Sequence, residues 1–409
     1  MPSPRHASTL TLTLRGKLLL AFLALLLVLR LFTASPSPHA PSAPRLPLAP
    51  VVVSLSSTPA RLDSTLPPTL WSLVRQSVPP SSIRVHLPLE LLSPDGPALL
   101  DLDPIYRHPL VDVRYVPDRG PATKFLPALE SAFALAREGD LSALSAPLLI
   151  VDDDHVYSPA LVETLVRAWV EKKGEAVIAL RGWRVREDLH WGVGWGDLKR
   201  HVVEGWRLKE PYQVGVVTAN EGYLLTPSLF LPPALRASLS HPSFSPSALP
   251  APALFSYAPP APPAAHLVDD IWLSGHLALC AVPRFVVPLR APEPPSVDIT
   301  PPAQPEEKGG GRSPVEKHLE EHGQTRAQAN DETLRFFAEA WAADRDLSGG
   351  EGGGGTLWFD LRAEENRRRD GWPGEPKWAG GVSRAWSQVS KYALWKRARR
   401  RWGAVAVWN

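Results

Sequence analysis

Short apolar runs alternate with stretches in which apolar residues recur every three or four positions, and this rhythm holds from about residue 50 to residue 290. Val51-Val52-Val53-Ser54-Leu55 reads as a buried strand. Leu66, Leu70, Leu73 and Val74 then follow at helical spacing, with Pro67 and Pro68 tolerable in a first turn. Ile83 to Leu87 predicts a second strand, and the alternation of Val111, Val113 and Tyr115 predicts a third. A helix is expected from about Phe125 to Arg137, then the apolar strand Leu148-Leu149-Ile150-Val151. Ser158-Pro159 has the form of an N-cap followed by proline, ahead of a helix that places Leu161, Val162, Leu165, Val166 and Trp169 on one face. Ala176 to Leu180 reads as a further strand, followed by short strands at 214–217 and 222–225, a helix from Asp269 to about Ala278 and a strand over 285–287. Strand and helix in alternation predict an α/β sandwich around a mixed, mostly parallel sheet.

Outside that stretch the rhythm fails. Arg15 and Lys17 precede an apolar run from Leu18 to Leu29, which Arg30 interrupts and Leu31 to Ala34 extend. Positive charge ahead of an early apolar segment keeps the N-terminus cytosolic and sends the rest of the chain to the lumen. The expected layout is a cytosolic tail (1–16), a signal-anchor helix (17–34) and a Pro/Ser-rich stem (35–49). A cleaved signal peptide is the alternative, because the uninterrupted core is shorter than the roughly 20 residues of a comfortable span. The chain has 46 prolines, and they are densest in that stem, in 232–264 and beyond 291, which marks a surface insertion within a domain over 50–290 and a low-complexity tail (291–409) after it. Within the tail, residues 315–344 could form a polar helix, and Trp386, Trp395 and Trp402 stand among basic residues.

A formal net charge of +2 gives no case for nucleic-acid binding. The lone Cys280 excludes an internal disulfide framework and a cysteine-rich zinc site.

The sharpest chemistry follows the strand at 148–151: Asp152-Asp153-Asp154-His155. An apolar strand that ends in carboxylates presents them at the carboxyl edge of a sheet, where α/β folds bind ligands. Adjacent acids repel one another unless a cation or hydrogen-bond donors offset their charge. Hard oxygen ligands suit Mn²⁺ or Mg²⁺, which can in turn bridge a diphosphate. An acidic turn merely solvated at a strand end would look the same. Upstream, Arg61 and Lys124 lie in loops where a cation could meet phosphates or a nucleobase.

The order of these segments resembles the GT-A fold of glycosyltransferases, whose DXD motif ends a central strand. Asp152 and Asp154 match its two aspartates, with Asp153 between them. The resemblance covers about residues 50–290 and picks out no single family, exostosin-like or family-2-like. It implies a three-layer sandwich in which Asp152 and Asp154 hold Mn²⁺ (or Mg²⁺) and Arg61, Lys124, Asp152 and Asp153 contact a nucleotide-sugar donor. Val268-Asp269-Asp270-Ile271 resembles the acidic helix start at which such enzymes touch the acceptor, so Asp270 or Asp269 is the expected base. Helix capping by the same acids is the bland reading. Asn220 to Leu225 is similar to the acceptor-side segment. A glycan or glycoprotein acceptor, and a Golgi or endoplasmic reticulum membrane with a lumenal catalytic domain, follow as expectations.

Some features stay open. The third metal ligand has only His318 and His322 as candidates. His155 could ligate metal or be a hydrogen-bonded structural residue. Trp183, Trp191 and Trp195 could stack on a sugar or pack the core. The acidic triplet also fits a haloacid-dehalogenase phosphatase, with Asp152 as nucleophile and Asp269-Asp270 on Mg²⁺, and a non-catalytic lumenal binding protein could keep the same fold.

Overall fold

The computed structural model describes residues 50–89, 103–186, 188–191, 201–258, 260–289, 295–300, 319, 321, 323–348 and 358–359. Contacts divide the chain into Met1–Leu48 and Ala49–Asn409, and all described residues belong to the second unit. The expected anchor at 17–34, the stem, Trp195, His318, His322 and the C-terminal tryptophans lie outside the described residues. Among the described residues no helix is long and apolar enough to cross a membrane.

The elements appear largely where the apolar rhythm puts them. In chain order they are β1 (Val52–Ser56), α1 (Leu66–Val74), β2 (Ser82–Pro88), β3 (Val111–Val116), α2 (Leu126–Arg137), β4 (Leu148–Ile150), β5 (His155–Val156) and α3 (Leu161–Glu171). Then come β6 (Val177–Ala179), β7 (Arg181–Trp183), β8 (Val185–Arg186), β9 (Val202–Glu204), β10 (Tyr212–Gln213), β11 (Val216–Val217) and β12 (Tyr223–Leu225). The rest are α4 (Pro233–Ser238), α5 (Asp269–Leu279), β13 (Arg284–Val286), β14 (Val297–Asp298), α6 (Arg326–Phe336), α7 (Ala338–Ser348) and β15 (Trp358–Phe359), which pairs with β8.

Eight strands form the main sheet in the order β10-β13-β6-β12-β4-β1-β2-β3. β1 runs parallel to β2 and β4, β2 is parallel to β3, and β6 is parallel to β13. β12, antiparallel to both β4 and β6, and the edge strand β10, antiparallel to β13, are the exceptions. The sheet is therefore mixed and mostly parallel. Because successive side chains of a strand face opposite sides, Leu148 and Ile150 join the core of α2 and α5, together with Phe125, Leu129, Ile271 and Trp272. Leu149, Val151, Ile178 and Leu224 are equally buried on the other face, where α1 and α3 lie. Burial of each such side chain stabilises by about 1.5–3 kcal/mol, and it is this two-sided burial that makes the central strands continuously apolar.

Three expectations need correction. α3 begins at Leu161 after Ala160, so Ser158-Pro159 lies in the turn ahead of the helix, where the Ser158 hydroxyl accepts from the Ala160 amide instead of capping. The insertion at 232–264 is not all surface, since Leu249 and Leu254 are buried. The chain beyond 290 is not all tail. Leu334 of α6, Phe337 between the two helices, and Ala340 and Trp341 of α7 enter the same core, and a Cβ on Gly275 of α5 would stand 2.2 Å from the Phe337 ring. Residues 295–300, expected as part of the low-complexity tail, contain β14, which pairs with β5 directly after the acidic triplet. The amphipathic signal of α6 is weak because the helix buries only part of one face, and β14 is too short to show periodicity.

Candidate functional site

The strand order places the acids. β4 is central, and its last residue is followed by Val151, whose amide still donates to the Ser54 carbonyl at 3.2 Å. Asp152 then leaves the ladder, its amide donating to the Ala219 carbonyl at 3.3 Å. The Tyr157 hydroxyl also bonds the Asp152 amide at 2.8 Å and donates to the Asp152 carbonyl at 3.0 Å, which fixes the turn. Since β12 is antiparallel, its first residues come to this rim, with Gly222 at φ +82 making the bend that puts Tyr223 opposite Ile150.

Two groups of side chains flank the triplet. On one side, Asp153 is buried, accepting from the Ser57 hydroxyl on one oxygen and from the Arg61 guanidinium on the other. Its carbonyl accepts from the Thr69 hydroxyl at 3.0 Å. Arg61 also reaches Asp154 at 3.3 Å. Asp154 is held further by His155 Nδ1 at 2.7 Å and by the Thr300 hydroxyl at 3.2 Å. Burial opposes ionisation of Asp154, but the bond and charge of His155, then Arg61 and Thr300, carry its pKa down to about 2. Burial pushes Asp153 up to about 6 against the pull of Arg61 and Ser57. Asp153 is thus an internal anchor for the Arg61 loop, both of its oxygens taken up by Ser57 and Arg61. His155 acts as a hydrogen-bonded partner of Asp154.

On the other side, the buried Lys124 ammonium lies 2.8 Å from Asp152 Oδ1, 2.9 Å from Asp269 Oδ2 and 4.0 Å from Asp270 Oδ1. Lys124 arrives there at the turn before α2, where the Ser54 hydroxyl of β1 donates to its carbonyl at 2.7 Å. Asp269 and Asp270 arrive in the first turn of α5, where carboxylates are favoured by the helix dipole. The contact of Asp269 with Lys124 is an ion pair without hydrogen-bond alignment, and Asp270 Oδ1 is buried with no hydrogen-bond partner among the described residues. Burial would lower the pKa of Lys124, but Asp152, Asp269 and Asp270 hold it well above the usual value. Burial raises Asp270 to about 8, the charge of Asp269 adding to the effect and Lys124 opposing it. Three carboxylates face one ammonium, and Asp270 is where the excess negative charge is felt.

The sequence brought Asp152, Asp154, Lys124, Asp269, Asp270 and Arg61 forward, and the structure gathers all of them at one rim. It missed Ser57, Tyr157 and Thr300, and it brought Tyr223 forward only within the segment Asn220 to Leu225, because these positions depend on register and long-range pairing. Trp183 and Trp191 pack against each other with centroids 4.9 Å apart, and both lie against the core.

The rim fits a hard divalent cation in charge and donor class. Five carboxylates stand against two permanent cations, and Asp152 and Asp154 keep side-chain exposures of 29 and 17 %. Among the described residues no three Asp, Glu, His or Cys side chains converge to chelate an ion alone. An ion held through one or two carboxylates and completed by substrate phosphates needs no such triad.

No protein-family model and no curated protein sequence matches the chain. Solved structures similar to it include S. aureus TarS 1-349 (16 % identity, 60 % of this chain, 59 % of that one, TM-score 0.33). Others are the mannosyltransferase PcManGT from Pyrobaculum calidifontis in complex with GDP-Man and Mn²⁺ (14 %, 95 % of this chain, 97 % of that one, 0.35) and glucosyl-3-phosphoglycerate synthase from Mycobacterium tuberculosis in complex with UDP (15 %, 44 % and 58 %, 0.25). The chain thus spans about three fifths of the TarS fragment. At these TM-scores, the functional reading rests on the chain's own geometry.

Proposed function

We propose that the chain is a glycosyltransferase of GT-A type, moving a sugar from a nucleotide-diphosphate donor to a hydroxyl of a glycan or glycoprotein. The observation that carries this reading is the pairing of a DXD-bearing strand end with a second acidic group, Asp269-Asp270, across one lysine at the same sheet rim. Asp152 and Asp154 would hold Mn²⁺ or Mg²⁺, which supplies charge neutralisation for the departing nucleoside diphosphate. Arg61 keeps its loop at the rim through Asp153 and carries positive charge towards the phosphates. Lys124 holds Asp152 and Asp269 in place and offsets part of their charge. Asp270 is the group suited to take the acceptor proton, because its raised pKa makes its carboxylate a stronger base than an ordinary one. Placement of the chain as a single-pass protein of the Golgi or endoplasmic reticulum, with this domain lumenal, is part of the same proposal and rests on the apolar run at 18–29.

The test is release of nucleotide from a panel of sugar nucleotides, with Mn²⁺ and with chelator. Turnover of at least one donor, lost with chelator, is expected. Hydrolysis of a generic aryl phosphate with no sugar-nucleotide turnover would instead support a phosphatase.

A further inference from the structure

Two buried tyrosines lie at the acidic rim, and they differ in one respect. The Tyr157 hydroxyl is fully used, bonded to the Asp152 amide and carbonyl and, at 3.3 Å, to the Ala219 carbonyl. Tyr223, at 0 % exposure, has a hydroxyl with no hydrogen-bond partner among the described residues. Its place is set by the sheet. Paired with Ile150 on one side and Ala179 on the other, it lies on the face that carries α2 and α5, two residues short of Asp152 on the neighbouring strand. That face is the one on which Lys124, before α2, and Asp269 and Asp270, in the first turn of α5, stand, and Asp270, Lys124, Asp269 and Asp152 all act electrostatically on the Tyr223 hydroxyl. Burial and those carboxylates raise its pKa well above the usual value, so it remains a donor at any working pH. Asp270 Oδ1, in the first turn of α5, is likewise buried and without a hydrogen-bond partner among the described residues.

Leaving a hydroxyl buried and unbonded costs about 1–3 kcal/mol, and a phenylalanine would fill the same space without that cost. A donor and an acceptor that both lack a partner match a group that both accepts and donates. A phosphate is disfavoured, because the surrounding Asp152, Asp269 and Asp270 outweigh Lys124 in charge. A neutral hydroxyl meets both demands.

We propose that Tyr223 is a substrate-binding residue, its hydroxyl donating to a sugar hydroxyl that in turn donates to Asp270. The identity of that ligand as a sugar rests on the transferase reading above; the openness of the Tyr223 hydroxyl does not.

The experiment compares wild type with Tyr223→Phe in two measurements. The first is kcat/KM for sugar-nucleotide turnover by the panel above, repeated with donors and acceptors that lack single hydroxyls. The second is the melting temperature without substrate. The expected result is a fall in kcat/KM of about tenfold or more, consistent with loss of one substrate hydrogen bond. One deoxy compound should then lose rate with wild type but little further with the variant, and the melting temperature should be equal or higher in the variant. Unchanged turnover by Tyr223→Phe overturns the inference. A melting temperature several degrees lower also overturns it, since the hydroxyl would then be bonded within the protein. A wild type inert towards every donor contradicts the transferase reading instead, and the melting comparison then decides the inference alone.

Discussion

The two faces of the acidic turn are opposites in their polar accounting. On the Arg61 face, Asp153 has a partner for each oxygen and Asp154 is shared by His155, Arg61 and Thr300. On the Lys124 face, three acids divide one ammonium, and both Asp270 Oδ1 and the Tyr223 hydroxyl have no hydrogen-bond partner among the described residues. The first face is saturated within the protein, with Asp154 the member of it that also belongs to the proposed metal site, and the second is left unsaturated. Saturated polar groups fix a loop, whereas unsaturated ones persist only when the fold holds them and something else completes them. Strands β1, β4 and β12 supply that hold, and the contrast locates the chemistry more narrowly than the acidic triplet does.

If that division is right, the largest effect on folding comes from the cation of the open face. Lys124→Met leaves three acids around a buried position and is expected to cost about 3–5 kcal/mol in urea denaturation at pH 8. The cost should shrink at pH 5, where Asp270 carries its proton. Next come the two aspartates of the rim. Asp152→Asn and Asp154→Asn are each expected to lower sugar-nucleotide turnover about 100-fold or more with the circular dichroism of wild type, as loss of a charge-stabilising group does. Ser57→Ala acts on the closed face, so it should lower stability by about 1–3 kcal/mol while leaving turnover near wild type. A large turnover loss with unchanged stability in Ser57→Ala would erase the distinction between the faces.

The smallest effect is a pH dependence whose sign is opposite for stability and activity. Asp270 has a folded pKa of about 8, above its unfolded value, so the folded state binds its proton more tightly. Its contribution to stability is complete below the unfolded pKa and is lost as pH rises through about 8. Asp153, raised to about 6, has the same sign but finishes earlier. His155, also raised, adds to the same slope, because its proton too is held more tightly in the folded state. Asp154 at about 2 works the other way, contributing above its unfolded pKa and losing that contribution as pH falls through about 2. A base must be ionised to act, so kcat/KM should rise over the window in which stability declines. Asp270→Asn should flatten part of the stability slope between about pH 6 and 8. An unchanged slope would place the titration elsewhere.

Much of this was legible in the chain before its structure. Leu148 to Val151 followed by three aspartates identifies a sheet rim because apolar continuity and sudden charge are both local signals. Lys124 and Asp269-Asp270 were legible as candidates for the same reason. What was not legible depends on partners far away in sequence. Asp153 turns inward because Ser57 and Arg61, more than 90 residues upstream, meet it there. Tyr223 matters because β12 runs antiparallel between β4 and β6, and a three-residue apolar strand carries no mark of its direction or register. Thr300 sits in a proline-rich stretch whose composition argues against order, yet a two-residue pairing with His155-Val156 brings it to Asp154.

One comparison of rates tests the role of the Lys124 face most directly. Sugar-nucleotide turnover by Asp270→Asn, measured with Mn²⁺ at pH 8 alongside wild type, should fall by about 10²–10⁴-fold while donor binding is retained, as expected for removal of a general base. Turnover at the wild-type rate would show that the lysine-centred acids do no chemistry, and the assignment of the site to that face would be wrong.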